Sequence, residues 1–270
     1  MNKTIGFIGA GNMGGAIIKG IIKKDIVCAS NIIVYDKNTD AAKKISDEFG
    51  VVVAEDLHNV CKADVLFLAV KPNVIYSVIE QIKGFVNKDC IVVSIAAGQS
   101  IMKLQQTFDN DTIKIVRAMP NTPALVGEGM TAVSFNDIMK IDDDKNDAKD
   151  ILMLFEGLGK VEVVNEQLMD AVTGISGSSP AYVFMFIEAM ADAAVCGGMP
   201  REQAYTFAAQ AVLGSAKMVL ESNKHPAELK DMVCSPGGTT IEAVKVLEEE
   251  GFRNAVFKAV TACINKSKSM

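Results

Sequence analysis

The stretch that decides the fold lies near the start of the chain, where residues 4–14 read Thr-Ile-Gly-Phe-Ile-Gly-Ala-Gly-Asn-Met-Gly. An apolar, β-rich run leads directly into a G-x-G-x-x-G turn, and a helix-patterned segment follows. Glycines at these spacings permit a tight turn and let the backbone approach a pyrophosphate, which then faces the helix N-terminus. A second apolar run ends at Asp36, 22 residues after Gly14, close to the spacing of a ribose-binding acid.

The pattern therefore predicts a dinucleotide site, with a purely structural glycine turn as the alternative. The expected contact residues are Gly9, Ala10, Gly11, Asn12, Met13, Gly14, Asp36 and Lys37. Asp36 favours NAD, since a carboxylate accepts a hydrogen bond from the ribose 2′-hydroxyl and repels a 2′-phosphate. Lys37 follows immediately and carries the charge that such a phosphate needs. The two residues argue in opposite directions, so the expected cofactor is NADPH or NADH.

Apolar runs alternate with helix-patterned segments through the first part of the chain. The predicted strands are Thr4–Ile8, Ile32–Tyr35, Val51–Ala54, Val65–Val70, Ile91–Ile95, Thr112–Arg117, Met130–Phe135 and Val161–Val164. The predicted helices are Met13–Ile22, Thr39–Glu48, Leu57–Lys62, Asn73–Ile82 and Asp143–Leu158, the last with an acidic start at Asp142, Asp143 and Asp144. Continuous apolar strands separated by helices predict an α/β fold, a Rossmann-type doubly wound and mostly parallel sheet covered on both faces.

After about Val164 the strand pattern stops and six helices are predicted. They are Leu168–Ile175, Pro180–Cys196, Arg201–Ser222, Pro226–Val233, Thr239–Glu249 and Phe252–Lys266. The predicted division is therefore a dinucleotide-binding domain over residues 1–164 and an all-helical domain over residues 165–270. Residues 181–195 carry only two charges, and so small a domain is not expected to bury so apolar a helix alone. We expect this domain to pack against a second copy of itself.

Composition excludes several classes of protein. The 270 residues carry 27 basic and 33 acidic side chains, and the net charge of −6 argues against nucleic-acid binding. Six cysteines without a C-x-x-C pair and only two histidines argue against a disulfide framework or a metal site. The uncharged residues 5–18 contain five glycines, unlike a signal peptide, and residues 172–187 are too short to span a bilayer. A cytoplasmic protein with no membrane partner is expected.

Three loops follow predicted strands, and ligands of open α/β sheets bind at the carboxyl ends of strands. The cofactor-binding residues expected there are Val70, Lys71, Pro72, Ala96, Ala97 and Gly98. Lys71 is either a surface lysine beside a proline turn or a group at the nicotinamide end. Asn121 lies between two prolines, and it either belongs to a rigid loop wall or contacts the nicotinamide directly.

Two turns of the helical part are rich in hydroxyl groups. Ser176-Gly-Ser-Ser-Pro180 and Ser235-Pro-Gly-Gly-Thr-Thr240 each precede a predicted helix. Hydroxyls and free backbone N–H groups at a helix N-terminus bind an anion such as a carboxylate. The alternative is plain capping, with Thr239 or Thr240 as the N-cap. The two glycines before the threonines favour the first interpretation, because they let a ligand approach the backbone.

The chain resembles pyrroline-5-carboxylate reductases over essentially its whole length. Its glycine motif is shared by many dehydrogenases, whereas two later segments are specific to this family: Asp170-Ala-Val-Thr-Gly-Ile-Ser-Gly-Ser-Ser-Pro-Ala-Tyr182 and Leu229-Lys-Asp-Met-Val-Cys-Ser-Pro-Gly-Gly-Thr-Thr240. The further matching segments are Val65–Pro72, Ser94–Gly98 and Arg117–Pro123. The resemblance implies hydride transfer from NAD(P)H to the C=N carbon of 1-pyrroline-5-carboxylate, which yields L-proline in the last step of proline biosynthesis.

The resemblance also implies roles for individual residues. The implied substrate-binding residues are Glu166, Ser235, Gly238, Thr239 and Thr240, and the candidate catalytic residues are Thr240, whose hydroxyl would lie nearest the imine, and Lys71. Asp56 stands at about the position of an asparagine that contacts the adenosine in the family, and Met232 replaces a polar residue. Both departures bear on cofactor preference. The implied assembly is a homodimer with interlocked helices, with a ring-like homo-oligomer as a further form.

The source of the imine proton stays open, since no histidine or carboxylate pair is evident for it. The substrate is expected to bind as the iminium or to be protonated by solvent, with Thr240 orienting the nitrogen. Two alternatives compete with this function. A β-hydroxyacid-type dehydrogenase uses a helical lysine with an asparagine one turn along, and Lys217 and Lys230 lack that partner. A non-catalytic NAD(P)-binding sensor would not need the turn at residues 235–240.

Overall fold

The computed structural model describes residues 1–139 and 146–270, and an eight-stranded sheet forms its centre. The strands are β1 (Ile5–Ile8), β2 (Ile32–Tyr35), β3 (Val52–Val53), β4 (Val65–Leu68), β5 (Ile91–Ser94), β6 (Lys114–Met119), β7 (Gly129–Phe135) and β8 (Gly159–Val163). Their spatial order is β3-β2-β1-β4-β5-β6-β7-β8. The β6–β7 pair is antiparallel and the other six pairs are parallel. The order reverses between β1 and β4, as in dinucleotide-binding doubly wound sheets. The predicted fold class is confirmed.

Alternate side chains of the central strands enter two separate cores, one on each face of the sheet. Phe7 and Phe67 belong to the first core, where their rings stack with centroids 4.6 Å apart. Leu66 and Leu68 belong to the second core on the opposite face. Strands β1, β4 and β5 are buried at every position, because helices cover both faces. This double burial explains why these strands are continuous apolar runs in the sequence.

The helices that cover the sheet carry their apolar side chains at helical spacing. They are α1 (Asn12–Lys23), α2 (Thr39–Phe49), α3 (Leu57–Val60), α4 (Ile75–Ile82), α5 (Ile101–Phe108) and α6 (Asp147–Glu156). Buried side chains of α1 and α6 enter the first core, and those of α4 and α5 enter the second. The predicted start of α6 and the acidic run at residues 142–144 lie outside the described residues.

Helix α5 was not predicted from the sequence. This helix has only eight residues, with Ile101, Leu104 and Phe108 buried and Ser100 as N-cap, whose Oγ accepts a hydrogen bond from the Lys103 N–H at 3.2 Å. The cap and the apolar spacing are the signals that could have revealed it. Where a strand or helix was predicted and is described, its ends differ by up to three residues, as in β6, predicted to begin at Thr112 and observed from Lys114.

The chain divides into two compact units. The sheet unit comprises Met1–Ser178 together with Cys263–Met270, and the helical unit comprises Ser179–Ala262. The second half of the chain contains α7 (Met169–Val172), α8 (Ser179–Cys196), α9 (Arg201–Ser222), α10 (Pro226–Val233), α11 (Thr239–Glu249) and α12 (Phe252–Lys268). The contact-based boundary differs from the division at residues 164 and 165, because residues 165–178 and the end of α12 pack with the sheet. One such contact joins Ser267 Oγ to Asp170 Oδ1 at 2.6 Å.

Residues 176–180 do not form the open turn that was predicted. A π-helical segment, Thr173–Gly177, continues the helix from α7 towards α8, so the chain is helical from Glu166 to Cys196. Among the described residues, this 31-residue run alone has the length and apolar composition to cross a membrane, and 6% of its most apolar window is buried in the protomer. Contrary to the prediction from their length, residues 172–187 belong to a helix long enough to span a bilayer, because the helix does not stop at the serines.

Candidate active site

The glycine loop after β1 adopts a conformation that its sequence requires. Gly9 has φ +110°, and a Cβ atom there would lie 2.4 Å from the carbonyl oxygen of Ala69. A Cβ atom on Gly14 would lie 2.5 Å from the carbonyl oxygen of Gly9. Both glycines therefore serve the close packing of the loop against the end of β4 and the first turn of α1. The glycines are therefore needed for the packing of the loop, and this need is compatible with a role in ligand binding.

The N-terminus of α1 is open to a ligand. Gly11 is its N-cap, and no side chain of the described residues caps it. A Cβ atom on Gly11 would meet nothing within 4 Å, so the space in front of the helix is free. The first N–H groups of a 12-residue helix then point into an accessible cradle with the positive end of the helix dipole behind them. This arrangement fits a pyrophosphate, with Asn12 and Met13 in the first turn.

Asp36 lies at the carboxyl end of β2, next to the glycine loop. Its Oδ2 accepts a hydrogen bond from the Ala10 N–H at 2.7 Å, and its Oδ1 accepts one from the Asn38 N–H at 2.8 Å. The carboxylate is therefore anchored to the glycine loop before any ligand binds. Its neighbour Lys37 is exposed.

A cleft of about 250 Å³ opens beside this carboxylate, between the ends of β1 and β2 and the helix α4. It is lined by Ile8, Gly9, Tyr35, Asp36, Lys37, Val70, Val74, Ser77, Val78 and Gln81. Apolar walls with one carboxylate at the edge suit an adenosine group. Four lining residues were not singled out from the sequence: Val74, which precedes α4, and the α4 residues Ser77, Val78 and Gln81. Their only sequence signal is that they follow the turn after β4.

The two other loops at the carboxyl ends of strands differ in character. Lys71 is exposed and is the N-cap residue of a short 3-10 segment that begins with Pro72. Ala96 is buried, and Gly98 has φ +72° with the chain end beside it, since a Cβ atom there would lie 2.8 Å from Met270 Cβ. Gly98 thus permits the close approach of the C-terminal residue, a packing role that local sequence does not reveal.

Two residues expected at the cofactor already have partners within the sheet unit. Asp56 is the N-cap of α3 and accepts a hydrogen bond from the Asn59 N–H at 2.8 Å. Asn121 is buried, accepts a hydrogen bond from the Met130 N–H at 2.9 Å and donates to Ser176 Oγ at 3.2 Å. These bonds favour the interpretation of Asn121 as part of a rigid loop wall.

Glu166 is also held within the sheet unit. Its Oε1 accepts hydrogen bonds from the Ile101 N–H at 2.7 Å and from Arg117 Nη1 at 3.1 Å. The Arg117 side chain is only 9% exposed, and Glu166 is its counter-charge. Glu166 therefore joins the start of α5 to β6, and a contact with substrate stays a prediction.

The turn before α11 has the open N-terminus that an anion site needs. Its N-cap is Gly238, with no side-chain cap among the described residues. Thr239 and Thr240 are the first two residues of the helix, so the alternative in which one of them is the N-cap is wrong. Gly237 has φ +68°, and a Cβ atom on Gly238 would lie 2.4 Å from Ser235 Oγ. The glycines therefore place the Ser235 hydroxyl against the backbone at the start of an 11-residue helix.

Both halves of the chain match described families. The model for pyrroline-5-carboxylate reductase dimerisation matches residues 166–270, and the model for the coenzyme F420-dependent NADP oxidoreductase matches residues 4–98. The pyrroline-5-carboxylate reductase of Escherichia coli K12 is 55% identical over 271 residues, which cover 100% of this chain and 99% of that protein. The Methanosarcina acetivorans protein of the same name is 43% identical over 100% of this chain and 98% of its own length.

Solved structures agree with these sequence matches. A Plasmodium falciparum pyrroline carboxylate reductase with NADP bound has a TM-score of 0.88 at 33% identity, covering 99% of this chain and 98% of that chain. A Coxiella burnetii pyrroline-5-carboxylate reductase has a TM-score of 0.89 at 34% identity, covering 100% and 98%. The chain belongs to the pyrroline-5-carboxylate reductase family.

Proposed function

We propose that this chain is an NAD(P)H-dependent oxidoreductase that reduces the C=N bond of 1-pyrroline-5-carboxylate to give L-proline, the last step of proline biosynthesis. The observation that carries the proposal is the 55% identity, over the full length of both chains, with a reductase of that name. Two open helix N-termini provide the anion-binding sites that this reaction needs. One begins α1 and suits a pyrophosphate, and the other begins α11 and suits a carboxylate.

The residues at the carboxyl ends of β1, β2 and β4 would hold the dinucleotide. The backbone of residues 9–14 would bind the pyrophosphate, and Asp36 would accept from the ribose. Lys71 and the loop at residues 96–98 would position the nicotinamide end, as the carboxyl ends of strands do in this fold. When bound, NAD(P)H supplies the hydride that reaches the C=N carbon.

The turn at residues 235–240 would bind the substrate. The free N–H groups at the start of α11 and the hydroxyls of Ser235 and Thr239 would bind the carboxylate. The Thr240 hydroxyl would bond the ring nitrogen and fix the orientation of the C=N bond. A threonine hydroxyl is a weak acid, so Thr240 would position a substrate that arrives as the iminium or takes its proton from solvent.

We further propose that the chain works as a homodimer through its helical unit, with a ring-like assembly as a higher form. The match to a dimerisation family over residues 166–270 supports self-association, and so do Phe184, Met185 and Phe257, which are 63%, 69% and 72% exposed. Exposed apolar surface of this kind marks an interaction site. A second copy would cover the apolar run that ends at Cys196, so the proposal needs no membrane and agrees with a cytoplasmic location.

The test of the reaction is dinucleotide oxidation by the purified protein with pyrroline-5-carboxylate, with L-proline measured as the product. Equal amounts of proline formed and dinucleotide oxidised are expected. A folded protein that binds a dinucleotide yet forms no proline would contradict the proposal. Light scattering in detergent-free buffer tests the assembly. Twice the protomer mass is expected for the dimer and a higher even multiple for the ring-like form, whereas a monodisperse monomer would contradict both.

A further inference from the structure

We propose that this chain prefers NADH to NADPH, and that Asp36 sets the preference. The proposal rests on the reductase function proposed above, because it concerns the dinucleotide site of that enzyme. The sequence alone leaves the choice open, since Asp36 and Lys37 argue in opposite directions. The contacts of these two side chains differ, and the difference decides the question.

Asp36 is anchored by two backbone donors. Its Oδ2 accepts from the Ala10 N–H at 2.7 Å and its Oδ1 from the Asn38 N–H at 2.8 Å. A carboxylate has roughly four acceptor sites, so about two remain for the two ribose hydroxyls of NADH. To move away from a 2′-phosphate, the carboxylate would have to break both charge-assisted bonds, including the one that ties it to the glycine loop. The negative charge is therefore fixed where the ribose would lie.

The position of Asp36 makes this charge decisive. It lines the same cleft of about 250 Å³ as Gly9, Tyr35 and Val74, beside the open N-terminus of α1. An adenosine in the cleft with its pyrophosphate at α1 would present the 2′-position of its ribose to the end of β2. A phosphate there would bring a further charge of about −1.5 to −2 against the anchored carboxylate.

Lys37 is the one basic residue that lines the cleft beside Asp36, whereas Lys19 and Lys44 line a separate cavity at the glycine loop. The chain has three arginines, Arg117, Arg201 and Arg253, and none in residues 1–116, which include the glycine loop and Asp36. A planar guanidinium is the usual partner of a 2′-phosphate in this fold. Lys37 is exposed and forms no ion pair within residues 1–139 and 146–270. The Lys37 ammonium and the Asp36 carboxylate together carry no net charge. This pair therefore offers no net electrostatic attraction to the 2′-phosphate.

The test is calorimetric titration of the wild-type protein with NADH and NADPH, without pyrroline-5-carboxylate. We expect the Kd for NADH to be lower by at least about tenfold. A second pair of probes, 5′-AMP and adenosine 2′,5′-bisphosphate, isolates the 2′-phosphate and needs no variant. We expect 5′-AMP to bind the more tightly of the two.

Variants assign the preference to Asp36. Asp36→Ser should lower the Kd for NADPH by about tenfold and raise that for NADH, because it removes the charge and the ribose acceptor. Asp40→Ser is the matched control, since it removes the same charge from the exposed first turn of α2. That control should leave the ratio of the two dissociation constants unchanged.

Equal or tighter binding of NADPH by the wild type would overturn the preference and leave the reductase intact. The same holds if Asp36→Ser and Asp40→Ser shift the ratio equally, or if the wild type binds adenosine 2′,5′-bisphosphate better than 5′-AMP. Binding of neither dinucleotide would overturn the preference together with the proposed function.

Discussion

The two compact units differ in where their apolar side chains go. In the sheet unit, Phe7, Phe67 and Phe155 are fully buried, and their rings contact one another within the protomer. In the helical unit, all of whose residues 179–262 are described, the three buried residues are the alanines Ala191, Ala204 and Ala208. Its phenylalanines and methionines are largely exposed instead. The difference indicates that one chain alone completes the core of the sheet unit, whereas the helical unit needs a partner to bury its apolar surface.

The largest effect is expected from opening the core of the sheet unit. Phe67→Ala removes a ring that is 0% exposed and stacks on Phe7, so we expect a loss of about 3–5 kcal/mol in the free energy of unfolding. Because this core lies within one chain, the loss should not depend on protein concentration. Urea unfolding at two protein concentrations measures both quantities. A loss below about 1 kcal/mol would contradict the core described here.

The next effect concerns the helical unit. Phe184→Asp places a charge at a side chain that is 63% exposed in the protomer, and it should weaken self-association by about 2–4 kcal/mol. Sedimentation equilibrium or light scattering across a dilution series measures it. Phe85→Asp is the matched control, because Phe85 is 52% exposed on the sheet unit. Equal dissociation constants for the two variants would remove the distinction between the units.

A smaller effect is expected from a substitution that impairs turnover and leaves dinucleotide binding intact. Thr240→Ala should lower kcat/KM for pyrroline-5-carboxylate by about tenfold to a hundredfold, because the hydroxyl that orients the ring nitrogen is lost. Dinucleotide binding, which we assign to the sheet unit, should not change. Thr240→Ser keeps the hydroxyl and should recover most of the activity. Unchanged turnover in Thr240→Ala would remove this residue from the mechanism.

The smallest effect is expected from removing one charge of an ion cluster at the amino ends of β1 and β6. Asp147 Oδ1 lies 2.8 Å from Lys3 Nζ, and its Oδ2 lies 2.5 Å from Lys114 Nζ. Burial alone would raise the pKa of the Asp147 carboxyl, but the hydrogen bonds from Lys114 and Lys3 outweigh it and lower the pKa. A lowered folded-state pKa contributes stability above the unfolded pKa, and that stability is lost as the pH falls through the folded value.

Asp147→Asn should therefore cost about 1–2 kcal/mol at neutral pH, and the cost should shrink as the pH falls below about 4. Urea unfolding of both proteins as a function of pH measures the difference. The exposed Asp40→Asn serves as control and should show little cost at any pH. A cost that stayed constant from neutral to acidic pH would show that the charge of Asp147 is not its cause.

Sequence patterns predicted the parts of this fold that depend on local spacing. The eight strands and the helices from Arg201 to Glu249 follow from apolar periodicity and from helix-start residues such as Pro226, the first residue of α10. Helix α5 was not predicted because its eight residues show little more than two turns of apolar periodicity. The stretch at residues 176–180 was misjudged because its serines suggest a turn, whereas the backbone continues as a π-helix.

The residues of the candidate site likewise fall into two groups, those that belong to local motifs and those whose contacts are distant in the chain. The glycine loop and the turn at residues 235–240 are contiguous motifs, and their open helix N-termini could be predicted from them. The partners of Asn121, Glu166 and Gly98 lie 55, 65 and 172 residues away in the chain, at Ser176, Ile101 and Met270. No local pattern encodes such pairs, so their packing roles became visible only in the folded chain.

The proposed reduction is tested most directly by following the hydride itself. The purified protein is given pyrroline-5-carboxylate and NADH deuterated at the transferable position of the nicotinamide, and the proline formed is examined by mass spectrometry and NMR. We expect one deuterium per proline, on the ring carbon that formed the C=N bond. Proline without deuterium, or no proline from a folded protein that binds NADH, would contradict it.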